Sequence, residues 1–413
     1  MKNRTIDPKE TSSQSQSGLA GTVAPANVEK RSLRTILRGD LGFLPVLFTL
    51  AVIAIFFYFT TDGIFLNSRN LSNLTQQIVT IGILSIAAVL VLLLGEIDLS
   101  LAAVAQASSA VTVVLSVYQS WNPWLAILAG LLTGAVIGVI NGFFIAVLRV
   151  PSFIVTLAGS IGYAGMLLVV LGKQTTLIVR DETIRALSPN YLDPILGIGL
   201  PALAVIGYAV VVILEQQSRA KAGLKVKSPT QLALQLGGTA IAVALIVFLF
   251  QSYLGVPQSV LIWIALVVVA ALILKRTPAG RHLYAVGGSG EAARRAGINV
   301  VLLKIVVFGV ASTLAAFAGI MLASRTTAVA TAVSPTLLLS AIAAAVIGGV
   351  SLFGGRGSVW AVVLGSLVIG SLDNGLDLLN QEQSVKNIVQ GVVLLLAVTV
   401  DALVRRANAS KGR

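Results

Sequence analysis

Two carboxylates stand inside an otherwise apolar stretch: Glu96 and Asp98, in Gly95-Glu96-Ile97-Asp98-Leu99-Ser100. A charged side chain at the bilayer centre costs about 2.5–3.5 kcal/mol on the insertion scale, so such residues face a bundle interior or a cavity. One reading makes Glu96, Asp98 and Ser100 the lining of a pathway or a gate. The other makes them a helix break in which Asp98 or Ser100 caps the next helix, because both types are favoured N-caps. The two can hold together, and capping leads for Asp98. Little else offers chemistry. The chain has no cysteine and one histidine, His282, in a basic loop. Thiolate sites and disulfides are excluded, and a histidine cluster or Ser-His-Asp triad would have to use His282. The run from Gly348 to Ser358 is the nearest approach to a P-loop, but Arg356 follows Gly355 where Gly-Lys-Ser/Thr is required. Gly288-Ser289-Gly290 is a lone Gly-x-Gly. The expectation is a chain that is not an enzyme, holds no cofactor or metal, and does not hydrolyse ATP by itself.

Two Asn-Gly pairs, Asn141-Gly142 and Asn374-Gly375, fall at the ends of apolar stretches. Each Asn is read equally well as a turn or cap and as a pathway residue. Gly130, Gly134 and Gly138 recur every four residues, a spacing that lets membrane helices approach closely. With Gly-Glu-Ile-Asp-Leu-Ser and Gly-Gly-Val-Ser-Leu-Phe upstream, the Asn-Gly pairs hint at an internal pseudo-repeat of the kind transporters use. The separations differ, 46 residues against 26.

The segment 275–304 carries a second kind of signal. Thr277-Pro278 ends one helix, and Ser289 can cap a short helix over 290–296. Glu291 lies near its positive end, Arg294 and Arg295 near its negative end, and Gly297 stops it. A helix this short is marginal alone, so it needs a docking surface, and the small surface of Ala292 and Ala293 favours docking over a plain anchor.

The elements that must position these residues are membrane helices. The 413 residues are 56% hydrophobic and 11% charged, far from the roughly 25% charged of a soluble domain. Twelve stretches approach the ~20 apolar residues that cross a bilayer: 41–61, 73–94, 99–118, 123–148, 152–172, 195–214, 233–253, 258–274, 303–323, 337–354, 358–371 and 386–404. The pieces 337–354 and 358–371 are short and Gly-interrupted, so ten to twelve full crossings are expected in an all-α polytopic fold. With the amino terminus inside and sides alternating, 23 of the 29 Lys/Arg fall on the inner side, the excess that sets orientation. Hence the net charge of +13 is assigned to membrane flanks and not to nucleic acid, and both termini are placed in the cytoplasm. Residues 1–40 read as a disordered basic tail, with Arg31, Arg34 and Arg38 anchoring the first span; 41–405 form the transmembrane domain and 406–413 a short tail.

Five motifs in order carry a resemblance: Gly95 to Ser100, Val150-Pro151-Ser152-Phe153-Ile154-Val155-Thr156, Gly280 to Ile298, Ile347 to Ser358, and Ser371 to Leu376. Together, over about 41–405, they resemble the permease subunits of bacterial ABC-type monosaccharide importers, the ribose, galactose, arabinose and xylose permeases. The xylose branch is most similar, because it too has a two-span insertion before the loop, here 195–253. The chain departs from the family with Leu338-Leu339-Ser340-Ala341 where relatives commonly carry Glu-Leu-Asp-Ala.

The resemblance implies a homodimeric permease in the cytoplasmic membrane that moves xylose or a similar pentose or hexose. It implies separate ATPase subunits that bind ATP and Mg, and an extracytoplasmic sugar-binding protein. It makes 276–302 the ATPase-coupling loop, with Arg281, Tyr284, Gly287, Gly288, Glu291, Ala292, Ala293, Arg294 and Gly297 as its contact residues. Glu96, Asp98, Ser100, Asn141, Ser152, Phe153 and Asn374 are the candidates for pathway or gate. The rival from another class is an ion-coupled secondary transporter, for which only Glu96 and Asp98 offer an intramembrane relay.

Overall fold

The computed structural model describes residues 44–224 and 226–411. The expected tail over 1–40, with Arg31, Arg34 and Arg38, lies outside the described residues, as do the last two residues of the expected tail 406–413. All twelve apolar stretches are helical: α1 (Leu44–Thr60), α2 (Ser68–Leu93), α3 (Leu101–Tyr118), α4 (Pro123–Ala146), α5 (Ser152–Leu171), α7 (Pro194–Lys221), α8 (Pro229–Gln251), α9 (Gln258–Arg276), α12 (Val300–Thr326), α13 (Pro335–Ile347), α14 (Ala361–Leu378) and α15 (Gln383–Lys411). Between them lie the short α6 (Glu182–Ala186), α10 (Pro278–Gly288) and α11 (Gly290–Arg295), and two three-residue strands, β1 (Thr176–Ile178) and β2 (Ala328–Ala330).

Among the described residues nine helices are long and apolar enough to cross a membrane; Leu44–Thr60, Thr336–Ile347 and Gln383–Leu396 are shorter apolar segments. Of the twelve expected spans, nine have a helix of spanning length among the described residues and three have only a shorter apolar segment. The piece expected at 337–354 stops at Ile347 because Gly349, Gly354, Gly355 and Gly357 all take positive φ, which ends a helix at little cost only for glycine. The piece expected at 358–371 runs on to Leu378.

Helix α2 is the axis of the bundle. Nearly every residue from Ile78 to Leu93 is buried, which explains why this stretch is apolar almost all round, the polar residues of α2 being gathered mainly in its first turns. It packs on α12, α14, α13 and α9, and the Ser85 hydroxyl donates to the Ala341 carbonyl at 2.8 Å. The glycine ladder of α4 is buried against α12. A β-carbon on Gly134 would stand 2.6 Å from both Ala316 Cβ and the Ser312 carbonyl, and one on Gly142 2.7 Å from Ile305 Cα. The four-residue glycine spacing therefore marks the seam between α4 and α12. By contrast α7 and α8 pack chiefly on each other and expose Ile195, Leu203, Leu234 and Phe248.

The two ends of the bundle differ in charge. α2 and α14 run antiparallel: Asn70 in the first turn of α2 meets Asn374 near the end of α14, while Leu93 at the other end of α2 meets Gly355, before α14 begins. Arg149, Lys275, Arg276, Arg281, Arg294, Arg295, Lys304 and Arg356 all lie toward the Leu93 end. Arg219 and Lys221 join them, since Glu215 pairs with Arg276 at 3.2 Å. The opposite end is closed by β1 and β2, which pair antiparallel with Leu177 against Val329. Asn141 and Asn374 consequently sit at opposite ends, because two helices separate the first break from Asn141 and one separates the second break from Asn374.

Candidate coupling junction and polar path

Two chain breaks and a pair of short helices meet at the basic end. The first is Leu94–Ser100, between α2 and α3. The second is Gly348–Trp360, between α13 and α14. They touch directly: a β-carbon on Gly95 would stand 3.4 Å from the Phe353 carbonyl, and one on Gly354 2.8 Å from Gly95 Cα. The Gly355 amide donates to the Leu93 carbonyl at 3.0 Å, so the end of α2 is capped by the second break.

The third element is the segment expected to couple. Its short helix is present: Ser289 Oγ accepts from the Ala292 amide at 3.3 Å, α11 runs over Gly290–Arg295, and Gly297 stops it at φ +85°. Glu291 and Arg295 form an exposed ion pair one turn apart, worth only about 0.2–0.5 kcal/mol. The stretch before it had no expected helix, yet forms α10. Thr277 accepts from the Gly280 amide at 3.4 Å, and Pro278 takes the first helical position, where its missing N–H costs nothing. Gly280, Leu283, Val286 and Gly287 recur three and four apart and turn one face inward. Along that face Gly287 meets Leu93 and Gly355, since a β-carbon there would overlap the Leu93 carbonyl and stand 2.7 Å from the Gly355 nitrogen. The Tyr284 hydroxyl donates to the Gly357 carbonyl at 2.9 Å, and partial burial raises its pKa above the usual tyrosine value. The other face presents Arg281 and Gly288, and α11 presents Glu291, Ala292 and Arg294, all exposed, while Ala293 is buried. Displacing α10 must therefore move both breaks.

Glu96 and Lys304 form an ion pair from the first break to the start of α12. Their side chains are 18% and 23% exposed, which places the pair between a surface bridge and a buried one. It lies in a cleft of about 210 Å³ that Arg149, Ser152 and Arg294 also line. Glu96 is thus tied at the basic end, beside α11.

Asp98 is the buried member of the pair of carboxylates. Its Oδ1 accepts from the Ser100 amide at 2.8 Å and from Ser100 Oγ at 2.6 Å, an Asx turn just before α3. The N-cap of α3 is Ser100, which makes no side-chain capping bond, so the expected capping of this helix by Asp98 or Ser100 is replaced by a turn. Oδ2 has no partner among the described residues. From Ser100 the polar path continues inward: Asn141 donates to Ser100 Oγ at 3.2 Å, and the Tyr163 hydroxyl donates to Asn141 Oδ1 at 2.6 Å. Helix α5 sews the break from the other side, with Ser152 Oγ accepting from the Ile97 amide at 3.3 Å and Thr156 Oγ1 from the Leu99 amide at 3.0 Å. The structure brings Asp98, Ser100, Asn141 and Ser152 together around the first break. Phe153 does not join them; it is 53% exposed on the outer surface of the bundle. Asn374 is at the far end, bonded to Asn70 at 2.8 Å.

Sequence reasoning missed Thr156, Tyr163 and Lys304 as partners. Thr156 carried a signal, four residues after Ser152 on the same helical face. Lys304, 208 residues from Glu96, carried none.

Residues 70–398 match the family described as branched-chain amino acid transport system / permease component. The xylose transport system permease protein of Haemophilus influenzae is 37% identical over 356 residues, covering 86% of this chain and 95% of that protein. Its counterpart in Escherichia coli K12 is 37% identical over 360 residues, 87% of this chain and 91% of that one. The ribose import permease protein of Bacillus subtilis is 32% identical over 337 residues, 82% and 86% respectively. No solved structure matches the chain. A family match across most of its length, supported by relatives aligned nearly end to end, makes this chain a member of the transport-system permease component family.

Proposed function

We propose that the protein is the membrane permease of an ATP-binding-cassette importer for xylose or a closely similar monosaccharide. The observation that carries this reading is the seat of α10, wedged through Gly287 and Tyr284 against both chain breaks at once. A solute carrier that supplies its own energy has no need of an exposed helix pair braced in this way. A partner ATPase that pushes on α10 and α11 would move Leu93 and Gly355 together, and with them the break that carries Glu96 and Asp98.

In this reading the basic end and both termini face the cytoplasm, in keeping with the Lys/Arg excess. All twelve helices cross or enter the bilayer, and the chain works as a homodimer. A sugar-binding protein delivers its load at the opposite end. ATP and Mg are held by the ATPase. The Glu96–Lys304 pair acts as an inner gate, closed in the state described. The ion-coupled alternative is disfavoured by Asp98, which lines neither cleft and whose carboxylate is bonded to Ser100 in the turn before α3.

The test is uptake by proteoliposomes holding the permease with its ATPase, supplied with the binding protein. Expected are ATP-dependent accumulation of xylose and no accumulation when an ion gradient is the sole energy source. Accumulation driven by the gradient in vesicles holding this chain alone would overturn the reading.

A further inference from the structure

The end of the bundle opposite α10 holds a second cleft, of about 290 Å³. Asn73, Gln76 and Gln77 enter it from the first turns of α2, Arg325 from the last turn of α12, and Asn374 and Asp377 from the last turn of α14. The three amides on α2 lie three and four residues apart, so they share one face. Gln76 is 8% exposed, and among the described residues neither its amide nor that of Asn73 has a hydrogen-bonding partner. Gln77 and Asn374 do bond each other, at 3.4 Å. The Gln76 and Asn73 amides, free of protein partners among the described residues, line a space near the ~300 Å³ lower bound of small-ligand cavities.

The chemistry of the lining defines what would fill it. Each amide offers two donors and an acceptor, the mixture that hydroxyl groups match. Arg325 interacts electrostatically with Asp377, which also pairs with Lys386, so the cleft does not present an unopposed cation to an anion. We infer that this cleft is a binding site for a small neutral polyhydroxyl molecule, taken up in the permease itself, with Gln76 and Asn73 as its principal hydrogen-bonding side chains. The inference rests on the importer reading for its choice of sugar. It assigns to the permease a recognition step that a binding protein alone would not need.

The experiment is saturation-transfer NMR on the full-length permease in lipid nanodiscs, with xylose as probe and xylonate as the anionic control. Expected are a xylose signal, none from xylonate, and a loss of about threefold to tenfold in affinity for Gln76→Leu and for Asn73→Ala, the range of one hydrogen bond. Asn73 is exposed, so the second variant keeps the test valid where the first fails to fold. An analogue lacking one hydroxyl should bind the wild type more weakly and one of the variants no more weakly than xylose does. Equal xylose binding by wild type and both variants, or preferential binding of xylonate, would overturn the inference. A permease that transports xylose in vesicles yet gives no signal refutes this site alone; one that transports no sugar refutes the importer reading.

Discussion

Gly287 of α10 lies so close to the end of α2 that any side chain there would collide with the Leu93 carbonyl oxygen. The neighbouring Gly288 has open space around it. This pair of glycines gives a sharp contrast. Gly287→Ala should push α10 off the two breaks, destabilising the protein by about 1–3 kcal/mol as overpacking does and lowering ATP-driven uptake at least tenfold. Gly288→Ala, which has room for its methyl group, should leave the stability within about 0.5 kcal/mol. Thermal melting in detergent and uptake in vesicles read the two effects.

The Glu96–Lys304 pair should behave as a latch. Lys304→Ala leaves a half-buried carboxylate facing Arg149 and Arg294, and should raise ATPase turnover in the absence of sugar. The reversed pair, Glu96→Lys with Lys304→Glu, should restore most of the control. A double-mutant cycle on melting temperature should give a coupling of about 0.5–3 kcal/mol. Additive single effects would show that the two residues do not work together.

Tyr163 holds Asn141 in place for Ser100. Tyr163→Phe removes the donor from a buried acceptor and should cost about 1–3 kcal/mol. Asn141→Leu should cost at least as much, because it strands both Tyr163 and Ser100. Melting curves at neutral pH test this. A Tyr163→Phe protein as stable as the wild type would mean that water replaces the hydroxyl.

Much of the fold was legible in the residues. Twelve apolar runs gave twelve helices, and the Gly130-Gly134-Gly138 ladder marked the α4 seam. The cap at Ser289 and the stop at Gly297 fell where their side chains and backbone freedom require. What escaped has physical causes. α10 contains Gly280, Gly287 and Gly288, which read as loop, yet the first two are there for close approach. Over 78–93 of α2, apolar almost throughout, periodicity carries no sign of which face is buried. The contact between Gly95 and Gly354, and that between Glu96 and Lys304, depend on how distant segments meet, which local pattern does not encode. Both Asn-Gly pairs lie inside helices and not in the turns or caps that their residue types favour, with Asn141 bonded to Ser100 and Asn374 to Asn70, and the helix count between motifs sends them to opposite ends.

Tyr284 adds a dependence on pH. Burial raises its pKa above the tyrosine value of 10.0, so the unfolded chain gives up this proton first as pH rises. The stability gained from a neutral Tyr284 is intact below pH 10 and declines as pH climbs toward the folded value. Melting temperature should stay level through neutral pH as far as this group is concerned and fall above about pH 10. Tyr284→Phe should lose the bond to Gly357 at neutral pH and show a shallower alkaline fall. An identical alkaline slope in the variant would place the effect elsewhere.

The chain has no cysteine, which permits a direct test of where α11 lies and what covers it. Ala292→Cys introduces a single thiol at the exposed surface of that helix. A membrane-impermeant maleimide should label it in inside-out vesicles and not in right-side-out ones, and added ATPase subunit should protect it. Labelling from the outer side, or labelling that the ATPase leaves unchanged, would contradict a cytoplasmic docking helix and the energy coupling built on it.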